Sequence, residues 1–280
     1  MDVLKLEKIC SQVRRDIVRM VHAVNSGHPG GSLGCTEFLV ALYFKIMNHK
    51  KEFDMNGFNE DLFFLSNGHI SPVFYSVLAR SGYFPIKELG TFRLINSRLQ
   101  GHPATKEGLP GVRIASGSLG QALSVSIGSA ISKKINNDEK LIYCLCGDGE
   151  LQEGQIWEAI MFAGAKKIDN LILTVDVNKQ QICGSTDEIL NLGDLNQKIT
   201  AFNWEVIEVS KGNDLKSIIQ GIEEAKDKTK KKKPICILLN TEMGFGVDFM
   251  MGSHKWHGIA PNDDELKKAL SQLEETIGDY

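Results

Sequence analysis

No stretch of this 280-residue sequence stays apolar for the roughly 18 residues that a membrane-crossing helix requires, so no such span is expected. Excess charge is missing too. With 32 basic and 35 acidic residues the formal net charge is −3, which argues against nucleic acid or a membrane surface as the main partner. The six cysteines (Cys10, Cys35, Cys144, Cys146, Cys183 and Cys236) lack metal-type spacing, and Cys144 and Cys146 sit two apart in one apolar run, as small buried residues would. A reducing, cytoplasmic setting is the expectation that follows. The opening MDVLKLEKIC alternates charged and apolar residues and has no apolar core of the signal-peptide kind. There is no internal repeat, linker or low-complexity segment, and 42% apolar with 24% charged residues describes an ordinary globular chain. A single domain over residues 1–280 is expected, near the upper limit for one core.

What the sequence does have is concentrated between Leu141 and Cys183. The apolar run Leu141–Cys146 reads as a buried parallel strand. Gly147-Asp148-Gly149 follows, and its glycines permit a tight turn against a ligand. A helical pattern carries Ile156, Trp157, Ile160, Ala163 and Gly164, and the apolar run Leu171–Val177 then ends at Asn178. This is a strand–helix–strand unit in an α/β fold with an open, mainly parallel sheet, and both loops leave carboxyl ends of strands, where ligands bind in such sheets. A carboxylate at 148 and an amide oxygen at 178 could share one hard cation such as Mg²⁺, with ligand phosphates completing its shell. The helix start between them would face the same phosphates. Equally, Asp148 could simply cap the helix and Asn178 make a turn.

Three further histidines stand in glycine-framed loops. An amphipathic helix over residues 3–25 is expected to stop at Asn25–Gly31, a loop holding His28. A helix over 36–47, a strand over 61–66 and Asn67-Gly68-His69 at the start of a helix to about residue 80 come next. Residues 97–116 read as a long loop with Gly101-His102-Pro103, and 116–122 opens a helix to about 135. Singly, each histidine could be a solvated bystander or a helix cap. Together, with no metal spacing, they suit polyol recognition and proton transfer near neutral pH. A strand over 201–209, a helix over 214–226, a strand over 234–239 and a final helix from Asn262 to about 276 complete the pattern. The basic run 226–233 reads as a solvated connection, and the Gly- and Met-rich loop 241–261, with His254 and His257, as a flap.

GDGELQEG followed by IWEA and then VDVNKQQICG resembles the transketolase branch of the thiamine-diphosphate enzymes, and GHPG, NGH and GHP extend the resemblance over nearly the whole chain. It implies a diphosphate-binding domain that uses thiamine diphosphate with Mg²⁺ (or Ca²⁺ or Mn²⁺). The metal ligands implied are Asp148, Asn178 and the Gln180 backbone carbonyl. The cofactor contacts are His69, Gly117, Ser118, Leu119, Gly147, Asp148, Gly149, Glu150, Asn178 and His254. His28, His254 and His102 are implied for the sugar, with His254 aligning better than His257, and Glu153 and Glu158 for a subunit interface, although an exposed helical face would explain the last two equally. The activity implied is transfer of a two-carbon glycolaldehyde unit from a ketose phosphate to an aldose phosphate, as in the pentose phosphate pathway. The family's pyrimidine-binding and carboxyl-terminal domains have no counterpart in this sequence, so the expected partner is a separate carboxyl-terminal subunit in an α₂β₂ heterotetramer. Other thiamine-diphosphate subunits, of the 2-oxo acid decarboxylating or deoxyxylulose-phosphate synthase type, and a non-catalytic partner-binding homologue are the competing readings.

Overall fold

The computed structural model describes residues 1–280, and its centre is one five-stranded sheet. The strands are β1 (Leu62–Leu65), β2 (Ile142–Gly147), β3 (Leu171–Val177), β6 (Glu205–Val209) and β7 (Ile235–Asn240), all parallel, in the order β1-β2-β3-β7-β6. Two-residue strands β4 (Gln180–Gln181) and β5 (Gly184–Ser185) form a separate antiparallel hairpin. Nearly continuous burial along β1, β2, β3 and β7 is what parallel strands covered on both faces require.

Alternation along the strands divides the core into two layers. Phe63, Leu65, Tyr143, Leu145, Ile172 and Ile237 face a large layer, while Phe64, Cys144, Cys146, Leu173, Val175 and Leu238 face a smaller one. The large layer holds α1 (Val3–Ala23), α2 (Pro29–Gly34), α3 (Thr36–Ala41), α4 (Ser71–Ser81), α9 (Leu215–Lys228) and α10 (Asp263–Gln272). The small layer holds α5 (Gln121–Ile135), α6 (Gly154–Ala165) and α8 (Leu195–Ala201), with the short α7 (Thr186–Leu190) after the hairpin.

The expected elements are present, with four corrections. Asn25–Gly31 is not all loop. Pro29 occupies the first turn of α2, where its missing N–H costs nothing. The helix expected over 36–47 changes to a π turn at Leu42–Ile46. The strand expected from 201 begins at 205, because residues 195–201 form α8. The last helix ends at Gln272, and the chain then runs back along α1.

That return forms a polar clasp. The Asp279 carboxylate accepts from Gln12 (2.7 Å) and from Arg15 Nε (2.9 Å) and Nη2 (2.7 Å), and also pairs with Arg19. The Arg15 guanidinium, with Gln12 and Arg19 beside it, holds this carboxyl well below the ordinary carboxylate range. A depressed acid contributes stability above its unfolded pKa and loses it as pH falls through the folded value. Asp279→Asn is therefore expected to cost about 1–3 kcal/mol at neutral pH. In urea melts the gap to wild type should be constant above about pH 5 and shrink below about pH 4.

Candidate functional site

The carboxyl ends of β1, β2 and β3 open together on a cleft of about 360 Å³. Asp148 follows β2 and Asn178 follows β3. Register places Gly147 beside Asp176, and the Lys179 N–H donates to Asp148 Oδ2 at 2.6 Å, so the two loops are in contact. Asp148 also accepts from the Gly149 N–H at 2.8 Å. It is buried and has no cationic partner. Burial, then the charge of Asp176, pushes its carboxyl up to about 7. Asn178 donates from Nδ2 to Asp176 (2.7 Å) and accepts at Oδ1 from the Gln180 N–H (2.9 Å). Gln180 also lines the cleft.

Glu150 is buried here as well, but its oxygens accept from Ser66 Oγ, the Gly120 N–H (2.6 Å) and the Gly147 N–H (3.0 Å). It braces three loops while also lining the cleft. Gly68 permits one of these loops to close, since a Cβ there would collide with the Ser116 carbonyl oxygen.

Histidines form the opposite wall. His28 lies 5.2 Å from His69, 5.8 Å from His257 and 6.3 Å from His102, ring centre to ring centre, and His69 lies 5.0 Å from His257. Burial pushes all four below the ordinary imidazole value, His28 to about 4, where His257 and Arg93 add to the effect. They are neutral at physiological pH, each with one nitrogen to donate and one to accept. The loop expected as a flap is packed in place: Met243, Val247, Met250 and Trp256 are buried, and Trp256 Nε1 donates to the Phe249 carbonyl at 2.8 Å. Trp256 thereby fixes His257 in the cleft, whereas His254 is exposed at the start of the turn and does not line it. The expectation for His254 is corrected in favour of His257.

Gly117 and Leu119 line the cleft, while Ser118 is exposed outside it. Glu153, at the mouth, and Glu158, on α6, are exposed and make no salt bridge. Three contributors were missed from the sequence: Ser116, buried with an unpartnered hydroxyl on the cleft wall, and two more. Asn67 is buried and lines the cleft, and its side-chain oxygen has no partner. Asp176 is fully buried on β3, and the one carboxylate in LILTVDV was the available signal for it.

These residues pass a test for a polar, metal-bridged ligand. Eight buried polar atoms in the molecule lack a hydrogen-bond partner, and four of them (His28 Nδ1, Asn67 Oδ1, Ser116 Oγ and His257 Nδ1) belong to residues lining this one cleft. Buried polar atoms are normally paired, so this concentration marks where a ligand's polar groups would complete them. Asp148 is a buried carboxylate awaiting a counter-charge. No three His, Cys, Asp or Glu side chains form a metal cluster. The donors on offer are a carboxylate and an amide oxygen, which suit a hard cation sharing its shell with phosphate.

Sequence comparison agrees with that geometry. The family described as "Transketolase, thiamine diphosphate binding domain" matches residues 6–275. The chain belongs to the transketolase family. It is 38% identical to an apulose-4-phosphate transketolase subunit from Actinobacillus succinogenes, covering 97% of this chain and 96% of that one. It is also 38% identical to the 6-deoxy-6-sulfo-D-fructose transketolase subunit of a Clostridium species, covering 97% of each. Among solved structures, transketolase from Campylobacter jejuni superposes with a TM-score of 0.89 at 35% identity, over 98% of this chain and 43% of that one. The chain thus spans about two fifths of a solved transketolase and nearly all of the two named subunits. The sheet and its flanking helices are those of the transketolase amino-terminal domain.

Proposed function

We propose that this chain is the diphosphate-binding subunit of a two-subunit transketolase that moves a two-carbon ketol unit from a ketose phosphate to an aldose phosphate. The observation that carries the reading is the convergence, in one cleft, of four unpartnered polar atoms and a buried carboxylate without a cation. Asp148, Asn178 and the Gln180 carbonyl would hold Mg²⁺, and the metal with His69 and the Gly147–Gly149 turn would hold the diphosphate. The chemistry the cofactor supplies when bound is stabilisation of the carbanion left when a ketose C–C bond breaks.

The chain's own residues bind and move protons around that event. Neutral His28, His102 and His257 can each accept a proton from a sugar hydroxyl at one nitrogen and donate to another oxygen at the other. Their depressed basicity keeps them in this form through the neutral range. Asn67 and Ser116 present further hydrogen-bonding atoms, and the packed Trp256 turn holds His257 across from His28. Glu153 and Glu158, open to solvent in the single chain, are available to a neighbouring subunit.

Two named subunits matched over 96–97% of their own length support the need for a separate partner. Purified alone, the chain is expected to transfer no ketol unit at a measurable rate, and adding the cognate carboxyl-terminal subunit should restore transfer. Substantial turnover by the single chain would refute the two-subunit reading. Assays with a ketose donor against pyruvate separate it from the decarboxylating thiamine-diphosphate enzymes.

A further inference from the structure

The Asn178 side chain has two ends of nearly equal size and opposite electrical sense. Its Oδ1 can ligate a cation, whereas its NH₂ group repels one. A half-turn about the last side-chain bond exchanges them at little steric cost. Something other than shape must therefore decide which end meets the metal.

The deciding neighbour is two residues back on the same strand face. Asp176 is fully buried within LILTVDV, flanked by Val175 and Val177, and no Lys, Arg or His bridges to it. Its carboxylate accepts from Asn178 Nδ2 at 2.7 Å on one oxygen and from the Thr241 hydroxyl on the other. With a donor on each oxygen, the carboxylate is left to accept, so it can meet only the NH₂ end of Asn178. The other end is turned toward the loop, where Oδ1 accepts the Gln180 N–H at 2.9 Å and keeps a lone pair free.

We propose that Asp176 is a positioning residue that fixes the amide of Asn178 with its oxygen toward the cation, and that Thr241 on the loop after β7 holds Asp176 in turn. The proposal rests on the reading of Asp148, Asn178 and Gln180 as metal ligands. It also accounts for an amide rather than a second carboxylate at position 178. An aspartate there would put two anions side by side where the structure has a donor and an acceptor at 2.7 Å. Partners behind a ligand that fix its orientation are typically worth about tenfold to a hundredfold in metal affinity.

Mn²⁺ binding in the presence of thiamine diphosphate, followed by electron paramagnetic resonance, tests this on the full chain alone and assembled with its cognate subunit. Asp176→Asn, which can present its own NH₂ to Asn178, is expected to weaken Mn²⁺ about tenfold to a hundredfold. Thr241→Val removes one support of Asp176 but leaves the Asp176–Asn178 contact, so it should weaken Mn²⁺ measurably but less than Asp176→Asn does. Equal Mn²⁺ affinity in Asp176→Asn and wild type overturns the inference. Absence of Mn²⁺ binding in wild type, in both preparations, sinks the metal-site reading itself. Nuclear magnetic resonance of the ¹⁵N-labelled, metal-free wild type gives an answer even if Asp176→Asn fails to fold. Asn178 Nδ2 protons in slow exchange and close to the Asp176 β-protons support the inference, and the same protons lying against the Gln180 N–H overturn it.

Discussion

Asparagine in place of Asp148 is expected to weaken Mg²⁺-dependent binding of thiamine diphosphate by more than about a hundredfold, without unfolding the chain. The lower bound follows from ligand supports alone reaching a hundredfold, while this change removes a ligand's charge. Stability should change little. Asp148 is buried with no cation beside it, and Asp176 adds like charge, so a neutral side chain of the same shape removes an unfavourable term. Against that, the Gly149 and Lys179 N–H groups donate to different carboxylate oxygens and an amide oxygen can accept only one of them, which offsets part of the gain. Thermal melts of the assembled enzyme should therefore show Asp148→Asn close to wild type without ligand. Added Mg²⁺ and thiamine diphosphate should raise only the wild type, because a ligand stabilises only the state that binds it. An equal ligand-induced shift in both proteins would place the metal elsewhere.

The second large effect separates two histidines three residues apart. His257→Asn is expected to lower kcat/KM of the reconstituted enzyme by about 10²- to 10⁴-fold, the range for losing a positioned proton-transfer group. His254→Asn should remain within about threefold, far below that range. The contrast follows from Trp256, whose burial carries His257 to 5.0 Å from His69 and leaves His254 in solvent. His257 Nδ1 has no protein partner to lose, so the substitution tests chemistry rather than folding. Loss of activity in His254→Asn with a normal His257→Asn would reverse the assignment.

The strands and the two loop ends that carry Asp148 and Asn178 were legible because each depends on local pattern. Runs such as LIYCLC and LILTVDV can be little else than covered strands, and their ends place 148 and 178 side by side. What was not legible needed contacts between distant segments. That Glu150 joins Ser66 and Gly120, 84 and 30 residues away, could not be read from GDGELQ. Helix α8 is two turns long with only Leu195 and Ile199 buried, too short a stripe to register as a period. In GHPGG the glycines argued for loop. The structure uses them because α2 approaches the Trp256 turn so closely that a Cβ at Gly30 would meet a carbonyl oxygen at 2.7 Å. Asp176 disappeared into a strand whose neighbours are apolar.

The seal between Asp279 and α1 joins positions 264 residues apart along the chain. During synthesis α1 leaves the ribosome well before residue 279, so Arg15 and Arg19 gain this anion only after everything between has emerged. Contacts of such separation are slow to form because the intervening loop must close first. A segment made early is thus completed late, and a nascent chain stalled before Asp279 would carry a first helix whose Arg15 reaches the Leu270 and Leu273 carbonyls but whose Arg15 and Arg19 both lack this carboxylate.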